Sequence, residues 1–103
     1  MLKVYFKSKH GNWYVYAGSM REVQEHALTY HNTLIDEDVK IGYNVRIDNN
    51  VVIEFGSTVG RGVELGYGAI IAAGTNIGDF AIIDPIHKGT VFYGDIKPQS
   101  VSH

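Results

Sequence analysis

From residue 35 onward an aliphatic side chain returns at every sixth position. Written in sixes from Ile35, the chain reads IDEDVK, IGYNVR, IDNNVV, IEFGST, VGRGVE, LGYGAI, IAAGTN, IGDFAI, IDPIHK. The first position is Ile, Val or Leu in all nine hexads, and the fifth is Val, Ser, Ala or Thr in eight, His87 being the exception. Helices repeat every 3.6 residues and strands every 2, so a period of six marks a repeat architecture. Three hexads make one triangular coil with a short strand on each side. First-position side chains then point inward and stack one coil apart: Ile35 on Ile53 and Ile71, Ile41 on Val59 and Ile77, Ile47 on Leu65 and Ile83. The fifth positions also point inward where room is short, which suits small and β-branched residues. The fourth positions carry the turn, and six of the nine are Gly or Asn, the residues that reach positive φ most cheaply.

The first 34 residues follow other periods. Leu2, Val4 and Phe6 alternate with Lys3, Tyr5 and Lys7, and Trp13, Val15 and Ala17 alternate with Tyr14 and Tyr16. With His10-Gly11-Asn12 as the turn, residues 2–17 read as a β-hairpin. Ser19 followed three residues later by Glu22 is a capping-box pattern, and Met20, Val23, Ala27 and Tyr30 share one helical stripe, which predicts a helix near 20–31 ended by Asn32. A solenoid must cover its terminal strand edges, so hairpin and helix read as a cap. The sharper alternative is a partner-recognition module built on Tyr5, Tyr14 and Tyr16.

These hexads resemble the hexapeptide-repeat family, whose members include serine, maltose and sugar-nucleotide acetyltransferases, acyltransferases of lipid A synthesis and γ-class carbonic anhydrases. The resemblance spans roughly residues 35–98 and is closest to the small acetyltransferases. It implies an all-β fold, a left-handed parallel β-helix of about three coils. Residues 1–34 form the hairpin-helix cap, 35–88 the β-helix, and 89–103 an exit strand and tail, all in one compact domain. Family acetyltransferases often leave the helix through a segment like I-P-P-G-T-V-V-x-G-N-P-A-K. Residues 86–97 are similar in Gly89-Thr90-Val91, Gly94 and Lys97, but have Asp95-Ile96 where the family has Asn-Pro-Ala. Through this likeness Gly94 and Lys97 become candidate acyl-CoA contacts, and His87 becomes an exit-loop residue.

The resemblance also implies what a catalytic reading requires: a histidine general base, suited by a pKa near working pH, and acetyl-CoA as co-substrate. The candidates are His10, His26, His31, His87 and His103, and His31, just before the first coil, is the foremost. The bland reading of His31 is an exposed histidine at a helix C-terminus, where positive charge suits the dipole. His26 and His31 have the H-x4-H spacing of the family's zinc branch. On a helix five residues subtend about 140°, so the two rings are expected to diverge and no metal site is expected. The glycines recur every six residues as turn residues and do not form a phosphate loop.

Composition narrows the partners. A chain of 103 residues buries a limited fraction of its surface, and without cysteine no disulfide or thiolate metal site compensates, so oligomerisation is expected. Nine basic and eleven acidic side chains give a net charge of -2, which does not support nucleic-acid binding. No 18-residue apolar run predicts a membrane span, and residues 1–7 are too short and too charged for a signal segment, so the expected compartment is the reducing cytoplasm. Sixth positions point outward, on sides carrying Lys40/Thr58/Asn76, Arg46/Glu64/Ile82 and Val52/Ile70/Lys88. Val52 and Ile70 make the last the most apolar, and it is the expected homotrimer interface. Two functions compete: a trimeric, non-catalytic binding or structural module without a cofactor, with another protein as its candidate partner, and a minimal acyltransferase with His31 as base.

Overall fold

A computed structural model describes residues Met1–Pro98. His103 and the end of the 89–103 tail lie outside them. Strands β1 (Leu2–Lys7) and β2 (Trp13–Gly18) form the hairpin, followed by helix α1 (Met20–His31). Short strands follow: β3 (Leu34–Ile35), β4 (Lys40–Ile41), β5 (Val45–Ile47), β6 (Val52–Ile53), β7 (Thr58–Val59), β8 (Glu64–Leu65), β9 (Ile70–Ile71), β10 (Asn76–Ile77), β11 (Ile82–Ile83), β12 (Val91–Phe92) and β13 (Asp95–Ile96). No described helix is long and apolar enough to cross a membrane.

The strands stack into a parallel β-solenoid with three sides. The first side is β3-β6-β9-β12, the second β4-β7-β10-β13, and the third β1-β5-β8-β11 with β2 antiparallel on its outer edge. The registers Ile35–Ile53–Ile71, Ile41–Val59–Ile77 and Ile47–Leu65–Ile83 are those the hexads predict. All eight fifth positions from Val39 to Ala81 are buried. The two hydroxyl residues among them are satisfied inside: Ser57 Oγ and Thr75 Oγ1 both donate to the Ala72 carbonyl, at 2.9 and 2.6 Å.

The solenoid has about four turns, not three, because both ends supply rungs that the hexad count misses. At the start, β1 pairs parallel with β5, setting Val4 on Val45 and Phe6 on Ile47, so the first strand of the expected cap is a rung of the third side. At the end, Phe92 stacks on Ile71 and Ile96 on Ile77. Phe92 follows Ile71 by 21 residues where the repeat supplies 18, so the exit segment carries a three-residue insertion. The insertion displaces Lys88 from the place predicted beneath Ile70, and Val91 takes it.

Local chemistry sets the turns. Every fourth position from Asp38 to Phe80 has positive φ, including Phe80 at 64°, and only Ile86 lacks it. A bulky residue in this region is strained. The Phe80 ring lies over Gly62, and the Arg61 guanidinium sits 5.4 Å from its centroid while pairing with Asp79 at 3.5 Å. Gly62, at φ +67, leaves that ring its room. Gly62→Val should lower stability by about 1–2 kcal/mol from the backbone alone, read as a shift in a urea unfolding midpoint.

Helix α1 begins as predicted. The Glu22 N–H donates to Ser19 Oγ at 3.1 Å, and the Ser19 N–H donates to Glu22 Oε1 at 2.9 Å. It ends at Asn32 in the left-handed conformation, φ 48°. The buried stripe is corrected at one place: Tyr30 is exposed and His31 is buried instead. The inward row runs Val23, Ala27, His31, by steps of four, which is one face of a helix.

Candidate functional site

The end of α1, the hairpin and the first corner of the solenoid meet in a chain of polar side chains. The Asn49 amide fixes its direction. Asn49 Nδ2 donates to the Lys7 carbonyl at 3.3 Å, so Oδ1 accepts from His31 Nδ1–H at 2.7 Å. That leaves His31 Nε2 to accept from the Tyr14 hydroxyl at 2.5 Å, and the Tyr14 oxygen to accept from His26 Nε2–H at 2.6 Å. In this arrangement His31 carries its proton on Nδ1 alone, whereas the His26 bond is the same whether or not its Nδ1 is protonated. Aromatic rings hold the chain in place: Phe6 stacks on His31 at 4.7 Å and 7°, and Tyr16 on His26 at 4.0 Å and 15°.

The expectation that His26 and His31 diverge is therefore overturned, since their ring centroids lie 5.4 Å apart. His26 leaves the edge of the helix and His31 its buried row, and the Tyr14 hydroxyl between them draws both rings to one oxygen. The foremost candidate base is also relocated. His31 is neither an exposed helix-end residue nor open to an acceptor: it is 5 % exposed, with both ring nitrogens engaged within the protomer.

Burial, and then the nearby His31, hold the His26 pKa below the ordinary histidine value. Burial, and then Tyr30, push the Tyr14 phenol up, which keeps it a donor at neutral pH. The consequence for stability has a definite sign. The unfolded chain protonates His26 near about 6.5, whereas the folded chain does so only at lower pH. Between those values the unfolded state binds more protons. Stability that is fully present above about 6.5 should fall as pH drops through that window. Melting temperatures followed by circular dichroism from neutral to mildly acidic pH check this; a rise on acidification would contradict it.

The other predicted residues scatter. Tyr14 and Tyr16 are half-buried against α1, so they do not form the exposed aromatic set of the sequence reading. Tyr5 points to the outer surface of the third side, opposite Arg46, whose guanidinium lies 5.8 Å from its ring and 5.9 Å from that of Trp13. Lys7 Nζ covers the Trp13 ring at 4.8 Å and pairs with Asp48 at 3.2 Å. Gly94, at φ 82, is a turn residue whose carbonyl accepts from the Asn76 N–H at 2.9 Å. Lys97 lines a recess of about 730 Å³ at the C-terminal end of the solenoid, among Phe80, Tyr93 and Phe92. His10 and His87 are exposed, and the His87 carbonyl accepts from the Thr90 hydroxyl in the exit turn. Among the described residues no group of three His, Cys, Asp or Glu is placed to hold a metal.

Val52 and Ile70 do share a surface, and it is larger than the sequence suggests. On the first side the outward residues form one column, Leu34–Val52–Ile70–Val91. Leu34 and Val91 are 46 % and 50 % exposed, and Leu28 of α1, 57 % exposed, flanks the column across a groove of about 320 Å³. Leu34 and Val91 were missed because they lie outside the hexad frame, one before it and one after the insertion. In comparisons with known proteins, the chain matches no family model, no curated protein and no solved structure.

Proposed function

We propose that the chain works as a homotrimeric, non-catalytic binding or structural module that packs the first side of its solenoid around a threefold axis. The observation that carries this reading is the unbroken aliphatic column Leu34–Val52–Ile70–Val91 on a flat outer face. Contiguous apolar surface of this kind favours burial against another copy, and cyclic closure keeps such a contact from propagating into filaments. The resemblance to hexapeptide-repeat proteins, a predominantly trimeric family, points the same way. The third side, outside this contact, would face a protein partner through the outer surface of the hairpin, where Tyr5, Trp13, Lys7 and Arg46 combine aromatic area with positive charge.

The competing acyltransferase reading needs a base that reaches an acceptor, and His31 is tied at both nitrogens. Sedimentation equilibrium tests the proposal: a trimer mass is expected, and a monomer at all accessible concentrations would overturn it. Melting with and without acetyl-CoA tests the competitor. No shift is expected at millimolar acetyl-CoA, whereas a saturable rise would restore the enzyme reading, because a native-state ligand must stabilise.

A further inference from the structure

We propose that the His26–Tyr14–His31 chain is a proton-binding latch: it keeps its hydrogen bonds with one added proton, and a second proton releases helix and hairpin from the first turn of the solenoid. The inference stands on the geometry of one protomer and does not depend on self-association.

The chain crosses three separate elements. Tyr14 belongs to β2, His26 and His31 to α1, and Asn49 to the corner after β5, with the Lys7 carbonyl at the end of β1 closing the path. Proton bookkeeping decides what each charge state does. A proton added to His26 leaves every bond in place, since its Nε2–H already donates to Tyr14. A proton added to His31 at Nε2 reverses the chain: His31 donates to the Tyr14 oxygen, and the Tyr14 hydroxyl turns to donate to His26 Nε2, with the His26 proton moved to Nδ1. Either single protonation keeps two bonds at Tyr14. With both rings charged, two Nε2–H groups meet one oxygen and the Tyr14 hydrogen loses its acceptor in the chain. Two cations then stand with ring centroids 5.4 Å apart. A half-buried pair of like charges with a stranded donor is strongly disfavoured.

The surroundings offer the second proton little relief. The recess beside His26 is lined by Tyr16, Glu22, Glu25, Thr29 and Tyr30. Glu22 is committed to the Ser19 N–H and Glu25 to Arg21 at 3.5 Å. On the other flank Asp48 is paired with Lys7. Among the described residues, neither histidine has a carboxylate within ion-pair distance. The stress therefore falls on the joint itself. The solenoid beyond β5 holds together by its own ladders and inward aliphatics, which contain no titratable group.

The test is hydrogen exchange with mass spectrometry on the full chain over a pH series, alongside proton NMR titration of the imidazole signals. Exchange rates are first corrected for their intrinsic pH dependence. Proton uptake at one ring should disfavour uptake at the other, so that the pair does not behave as two independent rings. Amides of α1 and β2 should lose at least about tenfold of their protection at the second protonation, while β6 to β11 stay protected. His26→Gln leaves one titrating ring and an amide that still donates to Tyr14, so it should keep α1 protected at pH values where the wild type opens. Tyr14→Phe should weaken protection of α1 at neutral pH already. The proposal is overturned if the rings titrate independently in the wild type. It is equally overturned if α1 and the solenoid lose protection together, or if His26→Gln opens at the same pH as the wild type.

Discussion

Val52→Asp is expected to leave only a folded monomer where the proposed trimer would otherwise form. Val52 is the second rung of the aliphatic column, with Leu34 on one side and Ile70 on the other. Its side chain points away from the core, and the neighbouring Ile53, fully buried, holds the inner stack. The substitution therefore adds charge to the outer surface and leaves the protomer's interior intact. In a trimer closed on this side, each copy would bring one aspartate into a contact lined by Leu34, Ile70 and Val91, with Lys88 at the groove's edge as the nearby cation. Burying a charge costs several kcal/mol, and about 4 kcal/mol corresponds to roughly a thousandfold in association. Lys40→Asp, on the second side, is the control and should keep the trimer mass. Sedimentation equilibrium with circular dichroism reads both. If Val52→Asp sediments as a trimer at the same concentrations, the first side is not the interface.

The second large effect concerns glycines that carry no turn. Gly42, Gly60 and Gly78 occupy second positions of every third hexad, one per coil, and stack in one corner. A Cβ on Gly60 would lie 2.7 Å from the Asp79 nitrogen and 2.9 Å from its Cα, and one on Gly42 would lie 2.6 Å from the Arg61 nitrogen. These neighbours are backbone, and Asp79 is further tied by its Oδ1 accepting from the Arg61 N–H at 3.0 Å. Relief requires the next rung to move, which stretches the ladder bonds of the second and third sides. Gly60→Ala should therefore cost about 3 kcal/mol, the upper range for overpacking. Gly74, at φ +73, would give a Cβ nothing within 4 Å, so Gly74→Ala should cost only about 1 kcal/mol of backbone strain. Urea unfolding at one protein concentration compares them. Equal losses would mean that the corner yields, and that positive φ alone sets the cost of replacing glycine here.

Much of the solenoid was legible because its rule is local. A side chain six residues on occupies the next side, so Ile35, Ile53 and Ile71 could be stacked by counting. Counting fails where the frame breaks. The insertion before Thr90 moved Val91 into the place reserved for Lys88. Val4-Tyr5-Phe6 repeats the inward-outward-inward pattern of Val45-Arg46-Ile47, and that was the available sign that β1 is a rung. The histidine chain was not legible. His31 drew notice for its position, but its partners Tyr14 and Asn49 come from a hairpin and a corner whose meeting depends on how β1 docks on β5. No spacing along the chain encodes that contact.

The outward column depends on whole turns in a way that sets which changes of length the protein tolerates. Leu34, Val52 and Ile70 align because each follows the last by eighteen residues, three hexads. Deleting one hexad between Ile53 and Ile70 would keep every inward position inward and give each a new aliphatic partner, since each side is built alike. It would also rotate everything after the cut by a third of a turn, carrying Ile70 and Val91 onto a different side from Leu34 and Val52. Deleting eighteen residues would shorten the column and leave it straight. The core reads length in sixes, while the outer surface reads it in eighteens.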